Sequence, residues 1–426
     1  MIQGSLSMRF LLGACALIWV VSATAASNMT AETPLTMSQV IALVLENNPQ
    51  LQVAGFDNRA AAARVRQRSQ TSPWELGVEF ENLAGGNRVS DSRNLETTLS
   101  LGRVLELGNK AHLRGEVARF ELGVLRHEQD AQRLDLLANA ARRFLHIVQV
   151  QGERDLSEER VTLMRRTLQA VERRYEIGKA PEVERSRAQI NLAKAELALE
   201  ETDHLLANGR RQLSVLWGEL EPGFNSAQAD LFQIHDEPDY ATLEQRIEQN
   251  PMLARLATAE RLANARLQLA RAKRNSDVGI KVGMRHFNAS DDLGLTLSMS
   301  IPLGSGGRAR PYVSEAKNLQ QREPFLAQQQ RLALRATLFE FHQELLHARD
   351  RLTVYQQRII PAAEKALADY SRGYSAGRYS LWELTSAQEI LLEARREILS
   401  AATEHHMIGI EIIRLIGATP ATGVNP

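Results

Sequence analysis

The sequence predicts a mainly α chain with a small β part: a long coiled-coil helical barrel plus four β-strands per chain, built as an internal two-fold repeat. Three observations predict it. The stretch from Asn109 to Glu176 has no proline, and only Gly115, Gly123 and Gly152 interrupt it. Its apolar or small residues recur at alternating spacings of four and three: Leu113, Val117, Phe120, Val124, then Ala131, Leu134, Ala138, Ala141, Leu145 and Val148, with His127 the one polar exception. After a phase slip near Gly152 the pattern resumes at Val161, Met164, Leu168, Val171 and Tyr175. That period of 3.5 favours a left-handed coiled coil, and about 68 residues at 1.5 Å each make a rod of ~100 Å. Second, two short stretches before the rod alternate with period two. Third, both patterns recur about 200 residues later, as an internal repeat requires.

Taken in order, the N-terminus reads as a secretory signal over 1–26. Arg9 supplies the positive start, Phe10 to Val21 the apolar run, and Ala23-Thr24-Ala25-Ala26 the cleavage site. The lone cysteine, Cys15, lies in a lipoprotein-like box, but the apolar run continues past it, so lipidation is not expected. A mature chain without cysteine excludes disulfides and thiol catalysis. Lys+Arg and Asp+Glu balance at 51 each, so no basic field argues for nucleic acid.

The first repeat spans 27–218. Thr36 to Gln70 reads as one helix capped by Thr36 or Ser38. Pro73 then changes the period. Trp74, Leu76, Val78 and Phe80 alternate with Glu75, Gly77, Glu79 and Glu81, giving a strand over 73–83; Leu95, Thr97, Leu99 and Leu101 give a second over 93–104, after a loop at Ala84-Gly85-Gly86-Asn87. About ten residues each is the length of a membrane-spanning β-strand. The rod follows Gly108 and stops at a tip near 178–181, where Gly178 and Pro181 turn the chain into a return helix ending at Trp217-Gly218. Residues 219–239 form a linker or equatorial segment.

The second repeat spans 240–418, with strands over 277–287 and 292–302 and a tip near 377–381; 419–426 is a tail. Asn48-Pro49 returns as Asn250-Pro251, and Tyr175-Glu176-Ile177-Gly178-Lys179 returns as Tyr374-Ser375-Ala376-Gly377-Arg378 at a constant offset of 199. Pro311 fits a first turn, whereas Pro324 and Pro361 are expected to kink or break the second rod. Four strands cannot close a barrel, and an open edge in lipid leaves backbone groups unpaired, so several copies must pool their strands.

This arrangement resembles the TolC family of outer-membrane efflux channels. The residues that carry the likeness are the tips, Tyr175-x-x-Gly178-Lys179 and Tyr374-x-x-Gly377-Arg378-x-Ser380-Leu381-x-Glu383-Leu384, together with Pro302-Leu303-Gly304-Ser305-Gly306-Gly307-Arg308. The turn Glu106-Leu107-Gly108-Asn109-Lys110 is similar to that of the heavy-metal (cobalt-zinc-cadmium type) branch. The resemblance implies a homotrimer with a 12-stranded barrel in outer-membrane lipid, a helical tube across the periplasm, a periplasmic adaptor (membrane fusion) protein and an inner-membrane RND-type pump. It also implies that Gly178, Lys179, Ala180, Pro181, Gly377, Arg378, Tyr379, Ser380 and Leu381 dock the adaptor, and that Glu383, Glu184 and Tyr374 lie at the periplasmic aperture.

Each site has a plainer reading beside it. Glu184 and Glu383 stand at helix N-termini, which favour acids in any case, and Arg187, one turn from Glu184, offers to neutralise it. The tips are also ordinary turns. Gly304-Ser305-Gly306-Gly307-Arg308-Ala309 fits a dinucleotide fingerprint formally, but no βαβ unit surrounds it. His342, His347, His405 and His406 lack metal-site spacing. No nucleophile-base pair or phosphate loop is present, so no enzyme activity, cofactor or metal site is expected. The cargo stays open between metal cations, drugs and secreted polypeptides, and a periplasmic coiled-coil adaptor is the alternative of another class.

Overall fold

The computed structural model describes residues 34–83, 94–234 and 238–420. The expected signal peptide with Cys15, the loop at Ala84 to Asn87 and the end of the tail lie outside them.

The N-terminal helix differs from the expectation by being two, α1 (Met37–Asn47) and α2 (Pro49–Arg68). Proline 49 cannot continue α1, because it lacks the N–H that the helix needs; it suits the first position of α2 instead. Thr36 caps α1 through a capping box with Gln39. Asn48, buried between the two helices, has two tasks. Its Oδ1 accepts from Gln50 N at 2.8 Å, and its Nδ2 donates to Leu216 O at 2.7 Å, at the far end of the return helix. Asn250 repeats both bonds in the second half, to Met252 N at 2.7 Å and Leu415 O at 2.8 Å.

The four strands, β1 (Trp74–Glu81), β2 (Glu96–Leu105), β3 (Val278–Phe287) and β4 (Asp292–Ser300), form one antiparallel sheet in chain order. The two halves thus meet at β2 and β3, and β1 and β4 are its open edges.

The rod expected at Asn109 to Glu176 is α3 (Lys110–Glu176), a single helix of 67 residues, or ~100 Å. Its return helix is α4 (Glu182–Ser214), closed by a 3₁₀ turn at Val215–Trp217. Helices α5 (Tyr240–Arg246) and α6 (Pro251–Ala272) lead into β3. The second rod is α7 (Ser305–Val354), a π-turn (Tyr355–Ile359) and α8 (Ile360–Ser375), returning as α9 (Leu381–Leu415).

The prolines of this rod divide. Pro311 and Pro324 lie inside a continuous α7, which corrects the expectation for Pro324. It sits on an exposed face, where one missing backbone bond is cheaper than breaking a packed helix. At Pro361 the rod does change, by widening into the π-turn just before it.

Near the sheet the helices pack in the order α2, α3, α6, α7; near the tips the order is α4, α3, α9, α8. Glycines in α3 mark close approaches. A Cβ on Gly123 would meet Thr258 Cγ2 at 3.0 Å, and one on Gly152 would meet Leu399 Cδ2 at 2.9 Å. The slip near Gly152 is therefore where α9 crosses close to α3. The linker passes at the same level. Ala227 exchanges both of its backbone bonds with the Gln151 amide at 2.8 Å, and Phe224, Ala227 and Leu231 join the main core around Leu137, Phe144 and Ile147.

Candidate functional site

The register sorts the sheet into two faces. One carries the rows Leu76–Leu101–Val282–Leu297 and Val78–Leu99–Met284–Leu295, flanked by Trp74, Ile280, Met299, Phe80 and Leu293. These side chains are exposed, up to 84% at Leu295, 78% at Leu297 and 73% at Leu76. A contiguous apolar face of this kind is adverse in water and suits lipid. The opposite rows are polar or small: Glu75–Gly102–Lys281–Ser298, Gly77–Ser100–Gly283–Thr296 and Glu79–Thr98–Arg285–Gly294. Arg285 reaches Glu81 at 2.7 Å and Glu96 at 2.8 Å on this side. A Cβ on Gly283 would lie 2.8 Å from both Leu99 O and Thr296 Oγ1, so this crowded spot admits no side chain.

Between sheet and rod, Gly108 and Asn109 both take positive φ (78° and 59°) to turn the chain. The flanking charges hold this elbow. Arg114 grips Glu106 with two bonds of 2.9 Å, and Lys110 Nζ donates to Asn275 O and Asp277 Oδ1 at 2.7 Å each, tying the first half to the start of β3. Gly304 (φ 78°) makes the equivalent bend before α7. The formal dinucleotide pattern is thus a strand-to-helix turn after an antiparallel strand.

At the other end of the rods the tips share one backbone. Gly178 (φ 69°) and Gly377 (φ 75°) end their helices in the left-handed conformation. Lys179 N donates to Arg174 O and Arg378 N to Gly373 O, both at 2.8 Å, which is the bond pattern of a Schellman motif. Lys179, Pro181, Arg378, Tyr379 and Ser380 are exposed, while Ala180 and Leu381 are buried beneath them. Tyr379 lies over Gly373 and against Tyr370, ring centroids 4.8 Å apart.

The aperture residues are placed in three different ways. Glu383 forms a capping box: its Oε2 accepts from Ser380 N and Oγ at 2.8 Å, and its own N–H donates to Ser380 Oγ at 3.3 Å. The backbone bond first, and the hydroxyl bond second, hold its carboxyl below the usual range. Tyr374 is 2% exposed, packed among Val171, Ala188, Leu381 and Leu384, so it joins the two hairpins from within. Burial foremost, then the Glu184 carboxylate, pushes its phenol upward. Arg174 lies over its ring at 4.5 Å and donates to its carbonyl at 2.5 Å. Glu184 is half-buried beside Tyr374, and its Oε2 is buried without a hydrogen bond of good geometry. No ion pair joins it to Arg187 among the described residues.

Sequence reasoning missed Arg174, Glu182 and Arg185. Arg185 lies over the Tyr175 ring at 4.5 Å and pairs with Glu182 at 2.6 Å. The signal was available in the repeat, where Glu182 and Arg185 align with Leu381 and Leu384. His405 and His406 meet edge to face at 5.5 Å between ring centroids, and His342 meets Tyr240 at 5.8 Å. Among the described residues no group of three or more His, Cys, Asp or Glu is placed to hold a metal ion, and no helix is long and apolar enough to cross a membrane.

Comparison with known proteins bears on this geometry. Residues 40–219 and 242–418, the two repeats, match the family described as Outer membrane efflux protein. The cobalt-zinc-cadmium resistance protein CzcC of Cupriavidus metallidurans is 24% identical over 388 residues, 90% of each chain. A crystal structure of CusC, from work on conformational changes accompanying folding and transmembrane channel formation, superposes with a TM-score of 0.76 at 18% identity, covering 90% of this chain and 92% of that one. The outer membrane protein VceC of Vibrio cholerae superposes with a TM-score of 0.75 at 17% identity, covering 90% and 96%. With its lipid-facing sheet, long rods and both repeats accounted for, the chain belongs to the outer membrane efflux protein family, as a channel of the outer membrane that extends into the periplasm.

Proposed function

We propose that three copies of this chain form the exit duct of a tripartite efflux pump, working with a periplasmic adaptor and an inner-membrane RND-type pump. The observation that carries this reading is the sheet. It has an apolar outer face, a polar inner face and two open edges at β1 and β4, so lipid insertion requires neighbours to pair with both edges. Three sets of four strands close a barrel of twelve, and the edge helices α2, α7, α4 and α8 continue the same seams toward the tips. Transport through the duct is passive, with energy supplied by the pump.

The exposed tip residues, Lys179, Pro181, Arg378, Tyr379 and Ser380, with Ala180 and Leu381 buried beneath them, are the adaptor-docking surface. The cargo is heavy-metal cations. The relative CzcC supports this reading, as does the Glu106-Leu107-Gly108-Asn109-Lys110 elbow, whose charges are all engaged in shaping the turn. Cation passage needs no tight site in the duct, and Glu383, held ionised by its cap, supplies three negative charges at the aperture of a trimer.

The test is planar-bilayer recording of the purified protein. Glu383→Gln keeps the cap's hydrogen-bonding atoms but removes the charge. It is expected to reduce cation selectivity and raise the conductance of the closed channel. Unchanged currents would remove Glu383 from the aperture, and the absence of any pore from the parent protein would remove the duct itself.

A further inference from the structure

The seam between the two hairpins of one chain is fastened by an ion triad. Arg395 on α9 pairs with Glu364 on α8, within its own hairpin, at 2.9 Å, and with Glu159 on α3, across the seam. The repeat offset of 199 carries each member to a partner of opposite charge: Glu159 to Arg358, Glu364 to Arg165, and Arg395 to Glu196. Half of the inverted triad is already formed. Arg165 on α3 and Glu196 on α4 pair within the first hairpin at 3.1 Å. The third member, Arg358, stands in the π-turn on the opposite edge of the chain, exposed and joined to no carboxylate among the described residues. In the formed triad the central Arg395 is 29% exposed, whereas its equivalent in the open pair, Glu196, is 50% exposed; the outer members, Glu364 and Arg165, are similar at 50% and 56%.

We infer that the Arg358 side chain of a second copy completes the Arg165–Glu196 pair, so that the seam between chains repeats the seam within a chain with its charges reversed. This rests on the assembly proposed above and names its contact. The geometry supports it because α4 and α8 are the edge helices at this level, as α3 and α9 are the inner ones. The motif Ala188-Gln189, equivalent to Ala387-Gln388, adds a second sign. Gln388 is buried and donates across the internal seam to Thr167 Oγ1 at 2.9 Å, while Gln189 at the matching place on α4 is exposed.

The inversion also sets the order of assembly. First hairpin against first hairpin would bring the edge carboxylate Glu196 to its own copy, and second against second would bring Arg358 to its own copy. Like charges oppose both arrangements, leaving only alternation around the ring.

The experiment is site-directed cross-linking with a short bis-maleimide in the full chain. Glu196→Cys together with Arg358→Cys is expected to give covalent dimers and trimers, and neither single variant should do so. Glu159→Cys with Arg395→Cys, which bridges within one chain, checks the reach of the reagent. A particle of trimeric mass in detergent that yields no intermolecular product from the first pair would overturn the seam and leave the assembly standing. A monomeric particle would overturn both. As a second readout, Arg358→Glu should lower the fraction of trimer surviving mild heating in SDS several-fold. Adding Arg165→Glu and Glu196→Arg, which recreates the Glu–Arg–Glu triad, should restore it; failure of that restoration counts against the pairing.

Discussion

The two hairpin tips share a backbone and differ in everything laid over it. At the first, Tyr175 is half-buried and covered by Arg185, which pairs with Glu182. At the second, the equivalent Tyr374 is buried, and the positions of Glu182 and Arg185 are taken by Leu381 and Leu384. One tip is tied together by charges in water, and the other is cemented to its neighbour by apolar packing. The comparison teaches that repeating a turn does not repeat its task. The second tip fixes one hairpin against the other within a chain, while the first presents a polar, adjustable surface.

The sharpest way to break this contrast is to truncate each tyrosine. Tyr374→Ala empties a buried site and should cost about 3 kcal/mol, in the range of large-to-small core substitutions, seen as lost amide-exchange protection in α8 and the first turns of α9. Tyr175→Ala should leave protection almost unchanged; equal losses would refute the assignment of unequal roles. The next effect should be the same at both tips. Gly178→Ala and Gly377→Ala each force a side chain into the left-handed region, at about 1–2 kcal/mol, with more proteolytic nicking at the tip concerned.

The smallest effect tells the tips apart again. The Glu383 carboxyl lies below its ordinary value because its ionised form caps α9. Its contribution is therefore complete above the ordinary glutamate value and is lost as pH falls through the lower folded value. Exchange at the N-terminus of α9 should accelerate there on acidification. In Ser380→Ala, which removes the reciprocal cap at about 1 kcal/mol, it should be fast already at neutral pH.

Long-range periodicity made most of the architecture legible. The course of α3, the two tips and the existence of four strands follow from patterns that repeat over many residues, and the repeat itself doubles the signal. Local chemistry was less readable. Asn48-Pro49 is legible as a repeated pair, but the break it makes between α1 and α2 is masked by apolar residues on both sides of it. Pro324 reads as a breaker in sequence, but its exposed position lets α7 absorb it. The tip motif alone points Tyr374 to the aperture. Its burial depends on Val171 and Ala188, which arrive from the other hairpin, and Arg174 covers it from there too. Partners some 200 residues away leave no local trace.

The paired asparagines have a consequence for how the chain matures. Asn48 needs the carbonyl of Leu216, and Asn250 needs that of Leu415, so each half is fastened at its base only when its own last helical turn has emerged. The earlier half can reach its final fastening while the later half is still being delivered, and neither needs the other's peptide groups to do so. A truncation that stops short of Leu415 would spare the first knot and leave the second untied.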